Sequence, residues 1–346
     1  YPDLIYTYLQ AGIYAYDQQA AINQLDHKDF DFIFFHTLVD FELIGINRYL
    51  SKNKFGGHLF IMQRQSPRFE NISKWKAFLH PYLRIKPHYL KAINRKLKKR
   101  FTLLTDSEIL SDDYAIVFPH RIVTAPIPLN APFFQPIETD NSENSLFLRH
   151  NLPKENFVDF GYMGDFRGGK GFDLLPSMIK KVLGAKKSNS RFIIQCANSE
   201  YGKEPPPALI ELQELAQTFK NNVVLINERL SDADYLRLFD FLDVIMIPYT
   251  SVAWDKGTSN ILTEAIALGK PAVVSNNTWM SHELKKYGGG LEFEKSNADD
   301  FAEKVTQLTD DHHNFAEKVV EYSPIWKAKH NVKNLVDLLL QEAKLS

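Results

Sequence analysis

The sequence predicts an α/β protein with two Rossmann-like domains, each a parallel sheet covered by helices. Three observations carry this. Short apolar runs alternate with helix-like stretches along most of the chain, and repeated βα units call for parallel strands with crossover helices. At 346 residues the chain exceeds what one core usually organises. A polar, Pro-bearing stretch near its middle supplies a join.

In the first half, strands are expected at 30–36, 59–62, 101–104 and 115–118, with helical patterns at 41–50, 73–80 and 88–99. In the second half, strands are expected at 157–163, 191–196, 223–226, 244–248 and 272–275, each followed by helix-like sequence. Pro126, Pro128, Pro132, Pro136 and Pro153 break up regular structure between the halves, so an exposed linker is expected. The resulting division is a first domain at 1–130, a linker at 131–154, a second domain at 155–324 and a final helix at 325–346 after Pro324. No internal repeat interrupts this pattern.

Composition bounds the function without naming it. Apolar content of 44% and charged content of 24% describe a soluble globular chain, and a net charge of -1 argues against a general nucleic-acid binder. The single cysteine, Cys196, ends an apolar run and reads as a buried strand residue in a reducing compartment. No apolar stretch suits a membrane span or a signal peptide, so a cytoplasmic location is expected.

Two segments carry candidate chemistry. The first runs from Gly164 to Gly171, with Arg167 and Lys170 between its glycines, on a turn at the carboxyl end of an expected strand. Open α/β sheets bind ligands at that edge. Glycines admit close backbone approach, Arg167 offers a planar fork to two oxygens, and Lys170 adds a compact charge. A diphosphate fits that set, and a solvated basic turn is the alternative for this segment alone. It matches neither the Walker loop nor the Gly-x-Gly-x-x-Gly fingerprint.

The second segment follows the strand at 244–248. A loop at 249–256 leads to Gly257, Thr258, Ser259 and Asn260 at a helix start, and Ile261, Leu262, Ala265, Ile266 and Leu268 form the helix's apolar stripe. Gly269 and Pro271 close it. Small polar residues at the start leave N–H groups free to face an anion, and the dipole adds to the attraction. Glu264 lies about one turn inside. The loop holding Asn227, Glu228, Arg229 and Leu230 leaves a strand at the same sheet edge, where it would meet a base.

Together, Gly-x-x-Arg-x-x-Lys-Gly before a helix and the run from Gly257 through Glu264 to Pro271 resemble the donor domain of glycosyltransferase family 4, a GT-B-fold group. The resemblance spans roughly 157–290, including the Thr278-Trp279 turn. It implies two Rossmann-like domains facing a cleft, the first on the acceptor side and small or trimmed at its start, since the chain opens at Tyr1 and has few early glycines. The helix at 325–346 would cross back to that first domain. Arg167 and Lys170 would bind the donor diphosphate and assist its departure, with Gly164, Thr258, Ser259, Asn260 and Ile261 beside them. Glu264, as the last Glu of a Glu-x7-Glu motif, would bind the ribose. The chain departs from the pattern twice: Asp165 stands where many members have Arg, and Lys256 falls at the motif's first Glu, beside the sugar.

Some members have a histidine that touches the transferred sugar near the position of His36, which ends an apolar run; a strand-capping histidine is the alternative. The implied reaction is metal-independent transfer with retention, without a cofactor, from a UDP- or GDP-sugar to a glycan or lipid-linked acceptor in polysaccharide or glycoconjugate synthesis. The departing phosphate takes the acceptor's proton, so no carboxylate pair is required. A nucleotide-sugar epimerase and a non-catalytic glycan-assembly partner are the rivals. A basic segment at 84–100, with Tyr89, Leu90, Ile93 and Leu97 on its apolar side, suits either an anionic membrane surface or a solvated helix packed on the sheet. The sequences Asp29-Phe-Asp31 and Asp232-Ala-Asp234 and the group Asp310, Asp311, His312 and His313 lack the surroundings of a metal site, and none is expected.

Overall fold

The computed structural model describes residues 31–36, 38, 42–67, 82–137, 145–153, 157–164, 166, 169–185, 188–197 and 205–344. The chain forms two compact units, one of residues up to Ile127 together with those from Val332 onward, the other Pro128–Asn331. Elements run β1 (Phe32–Phe35), α1 (Glu42–Lys52), β2 (His58–Gln63), α2 (Tyr82–Leu97), β3 (Phe101–Thr105), α3 (Glu108–Val117) and β4 (Ile122–Thr124). The second unit holds α4 (Leu146–Arg149), β5 (Val158–Tyr162), α5 (Leu175–Gly184), β6 (Ser190–Gln195), α6 (Pro207–Thr218), β7 (Val223–Ile226) and α7 (Asp232–Phe241). It continues with β8 (Val244–Ile247), α8 (Asn260–Ala267), β9 (Ala272–Ser275), α9 (Trp279–Tyr287), β10 (Gly290–Phe293) and α10 (Ala298–Lys329), before α11 (Val332–Lys344) returns to the first unit.

In the first unit the four strands lie in sequence order and are all parallel. The continuous apolar run of β2 has a physical reason: both its faces are covered. Leu59 and Ile61 pack with Leu43 and Ile46 of α1 and Leu90, Ile93 and Leu97 of α2. Phe60 and Met62 pack with Leu335 and Leu339 of α11.

The second unit's six parallel strands have the order β10-β9-β8-β5-β6-β7. Phe160, Phe192, Ile194, Val244 and Met246 make the sheet face of its core, covered by Leu175, Met178 and Ile179 of α5 and Phe301, Val305 and Leu308 of α10. The ladder between β5 and β8 has only two rungs, Phe160 with Val244 and Gly161 with Ile245. Beyond them each strand stays paired only to its outer neighbour, Tyr162 to Ile194 and Ile247 to Val274. A buried bidentate pair anchors the other end of β5: Arg191 donates to Asp159 at 2.6 and 3.0 Å and to the Pro153 carbonyl at 3.0 Å. The Arg191 guanidinium lies 5.0 Å from the Phe157 ring and 5.5 Å from that of Phe241.

The structure corrects several sequence expectations. Residues 115–118 are not a strand; up to Val117 they complete α3, which starts because Ser107 caps it, accepting the Leu110 N–H at 3.2 Å. The strand at that place is β4, only three residues long. β10 is also absent from the expectations, its four residues being half apolar. α2 begins at Tyr82 and continues through Pro87, and α10 continues through Pro324, so neither proline marks a boundary. α10 instead departs from helical geometry at Asp311. The stretch expected as an exposed linker buries Phe133, Leu146 and Leu152 and contains α4. The helical pattern at 73–80 lies outside the described residues.

The apolar side of the basic segment packs inward. Leu90, Ile93 and Leu97 are buried in the core, so the apolar side of α2 is not free to enter lipid. Lys96 donates to the Asn47 carbonyl and side-chain oxygens at 2.7 Å each, and Arg100 donates to the carbonyls of Phe55 and Gly57. Lys86 is buried, its Nζ 5.9 Å from the Tyr114 ring centre. Among the described residues, no helix is long and apolar enough to cross a membrane.

Candidate active site

The chain builds β5, β6 and β7 outward in one direction, then returns to place β8, β9 and β10 on the other side of β5. The reversal makes a switch point between β5 and β8, where the loops leaving the two strands flank a crevice. Both motifs singled out in the sequence leave those strands.

The turn after β5 is seated on the β8 loop. The Gly169 carbonyl accepts the N–H groups of Thr250 at 2.9 Å and Ser251 at 3.1 Å. At Gly171, φ is +71° and an added Cβ would lie 1.7 Å from the Pro248 carbonyl oxygen, so only glycine fits. Gly169 has φ of +86°, and its Cβ would lie 2.8 Å from the Ser251 Cβ. The Gly164 N–H donates to Gln195 Oε1 at 2.9 Å, tying the turn to the end of β6. These contacts hold Lys170 half-buried with its Nζ 6.0 Å from the Tyr249 ring centre. Asp165, Arg167 and Gly168 lie outside the described residues.

The β8 loop then enters α8. Ser259 is the N-cap, accepting the Leu262 N–H at 3.4 Å through its side chain and the Thr263 hydroxyl at 3.0 Å through its carbonyl. Thr258 and Ser259 are buried, Ile261 is half-buried and Asn260 is exposed. The amino end of α8, with its first N–H groups and positive dipole end, follows on the same loop that seats the Lys170 turn. Lys256 is half-buried just before this start, and its neighbour Asp255 pairs with Lys295.

Glu264 lies one turn into α8, half-buried, and accepts the Tyr235 hydroxyl on Oε2 at 2.6 Å. Burial pushes its carboxyl up to about 7, against the downward pull of that hydrogen bond. Burial first and the nearby Glu264 second raise the Tyr235 hydroxyl far above its ordinary range, so it remains a donor. Tyr235 and Gln195 were missed in the sequence. Tyr235 meets Glu264 only because α7 and α8 flank β8, whereas Gln195, a polar residue ending an apolar strand at the ligand edge, was a readable signal.

After β7, Asn227, Glu228 and Arg229 are exposed and Leu230 is half-buried. The Glu228 carboxylate accepts from His150 at 2.9 Å and Arg149 at 3.1 Å, and these hydrogen bonds hold it below the usual carboxylate range. This engages the Glu228 side chain within the second unit. Cys196 is buried, donates to Asn227 Oδ1 at 2.8 Å and is pushed up to about 12 by burial, which does not suit a nucleophile. In the first unit, His36 is exposed at the end of β1. Partial burial and then Arg64 lower its pKa, while Asp106 opposes them. Asp232 and Asp234 form the first turn of α7, where the Asp234 N–H meets the Ser231 cap at 3.1 Å. Among the described residues no three His, Cys, Asp or Glu side chains are grouped to hold a metal.

A family model described as glycosyl transferases group 1 matches residues 146–326, more than half the chain and the whole of this sheet. The chain belongs to that family. Among solved structures, Alr3699/HepE from Anabaena in complex with UDP is 15% identical, covers 95% of this chain and 82% of its own, and has a TM-score of 0.68. A UDP-forming α,α-trehalose-phosphate synthase from Burkholderia xenovorans, in complex with glucose-6-phosphate, is 12% identical over 96% of this chain and 77% of its own, with a TM-score of 0.68. Sucrose-phosphate synthase from Thermosynechococcus elongatus is 14% identical over 91% and 73%, with a TM-score of 0.64. At these identities the likenesses establish the GT-B fold shared with this group 1 glycosyltransferase. No curated protein matches by sequence.

Proposed function

We propose that this glycosyltransferase moves a sugar from a nucleotide diphosphate donor to an acceptor hydroxyl, with retention and without a metal. The observation that supports this is the seating of the Lys170 turn on the β8 loop, which leads on to the α8 amino terminus, at the β5–β8 switch point. When the bond between the anomeric carbon and the phosphate oxygen breaks, its electron pair stays on the diphosphate. Lys170 and the α8 N–H groups are assigned to the growing charge, and Arg167 is assigned to the same phosphates from the sequence motif; charge already in place there lowers the barrier. The acceptor oxygen bonds to the anomeric carbon on the same face, and its proton passes to the departing phosphate.

Glu264 is assigned to the ribose and the backbone of 227–230 to the base. Lys256 is assigned to the surroundings of the sugar, and on the first unit His36 is the candidate for contact with a sugar. UDP in the Anabaena neighbour's complex supports a UDP donor, with GDP the alternative. The acceptor is assigned to the glycan or lipid-linked class. If it is lipid-linked, the exposed Lys91, Arg95, Lys98 and Lys99 supply charge alone toward an anionic surface.

The test is a thermal-shift screen of UDP-, GDP- and ADP-sugars, followed by assay of nucleotide release with and without acceptor glycans. Stabilisation by one donor and acceptor-dependent release are expected. Binding without turnover favours a glycan-assembly partner, sugar interconversion without acceptor favours an epimerase, and stabilisation by none refutes the donor site.

A further inference from the structure

We infer that Tyr235 is a positioning residue for nucleotide binding, its hydroxyl holding Glu264 Oε2 so that Oε1 is presented to the ribose hydroxyls. This rests on the assignment of Glu264 to the ribose. Tyr235 lies 29 positions before Glu264, outside both motif segments read in the sequence.

Geometry argues for the role. Tyr235 sits in the first turn of α7, directly after the base loop, and its ring packs edge-on against Phe239 with centroids 5.7 Å apart. The phenol is therefore anchored on α7 while its hydroxyl reaches across to α8. Glu264 Oε2 is occupied at 2.6 Å, whereas Oε1 has no hydrogen bond among the described residues. A glutamate with three rotatable bonds is thereby fixed by one contact, and the free oxygen is oriented before the ligand arrives. Pre-ordering of this kind raises affinity by removing an entropy cost from the binding step. The same hydroxyl favours the ionised carboxylate, the form that accepts two sugar hydroxyls. Facing groups are few: Tyr235 from α7 acts on Glu264, and Tyr249 from the β8 loop acts on Tyr235.

The experiment is calorimetric titration of the full chain with UDP and with GDP, which share the ribose, from pH 5.5 to 8.5. Parent, Tyr235→Phe, Glu264→Gln and the double variant are compared. Glu264→Gln should weaken binding by about tenfold or more, and Tyr235→Phe by about three- to tenfold. The double variant should lose less than the sum of the two single losses, because the hydroxyl acts through the side chain at 264. In the parent, affinity should fall as pH drops through Glu264's range, and Tyr235→Phe should move that midpoint upward, since it removes the bond that favours ionisation. In steady-state assays the loss in Tyr235→Phe should appear chiefly as a raised donor KM. A purely packing role for the tyrosine would leave the midpoint unmoved.

If the parent binds neither nucleotide, or Glu264→Gln binds like the parent, the ribose assignment fails. If Glu264→Gln binds weakly but Tyr235→Phe keeps parental affinity and midpoint, or the two losses add, the inference about Tyr235 fails alone. Should Tyr235→Phe not fold, Tyr235→Leu removes the same hydroxyl and is read by the same criteria.

Discussion

Replacing Glu264 by Gln should stabilise the ligand-free protein at alkaline pH while weakening nucleotide binding. The carboxyl is raised from an ordinary 4.5 to about 7, chiefly by burial. The folded state therefore holds the proton more tightly than the unfolded chain between those values. Stability from the protonated form is complete below pH 4.5 and is lost as pH rises through 7. At about 1.4 kcal/mol per pKa unit, the ionised carboxylate costs the folded state about 3 kcal/mol at pH 8.5. Gln keeps the shape, accepts the Tyr235 hydroxyl and carries no charge, so it escapes this loss. Urea unfolding of parent and variant, followed through the buried Trp279 and Trp326, measures it. Other titrations cancel in the difference, which should grow in the variant's favour by about 2–3 kcal/mol from pH 5 to 8.5. A difference that stays constant across that range would mean that the carboxylate is not desolvated, and the argument would fall.

Lys170→Ala should lower kcat by about 10²-fold, because it removes charge from a group that becomes more negative in the transition state; unchanged turnover in a steady-state assay would misplace the diphosphate. Gly171→Ala should destabilise the second unit by on the order of 3 kcal/mol or more, since both the left-handed backbone and the Pro248 carbonyl oppose a Cβ; a parental melting curve would refute the close approach. Arg191→Ala should cost about 3–5 kcal/mol by leaving the Asp159 carboxylate buried and unpaired, read as a fall in the urea midpoint. Arg95, Lys98 and Lys99 replaced together by Glu should abolish any sedimentation with phosphatidylserine vesicles without changing the melting temperature, whereas unchanged sedimentation would remove the charged surface from consideration.

The sequence was most legible where burial makes residues uniform. β5 through β9 are apolar runs because parallel strands are covered on both faces, and their C-terminal ends point to the ligand edge by rule. Gly171 and the Ser259 cap were readable for the same reason: each satisfies a local backbone requirement. The errors arise where tertiary packing overrides a local signal. Pro87 and Pro324 sit inside helices whose packing outweighs one lost hydrogen bond, and Ile116 and Val117 look β-like but belong to a capped helix. Phe133 and Leu152 show that prolines and polar neighbours do not make a linker exposed. The Tyr235–Glu264 and Glu228–Arg149 contacts join residues whose spacing carries no period, so only the folded topology brings them together.

The two-rung ladder between β5 and β8 gives the crevice an unusual origin: its mouth is the point at which sheet formation stops. Past Gly161 and Ile245 the inward backbone groups of both strands are released from pairing with each other, while the outer neighbours keep each strand rigid. The Lys170 turn restores contact further along, where the Gly169 carbonyl accepts the Thr250 and Ser251 N–H groups. Gly171 admits this approach because it brings no Cβ against the Pro248 carbonyl. The placement of Lys170 therefore depends on backbone positions that carry no charge, and sequence comparison restricted to the charged residues would not see a change there.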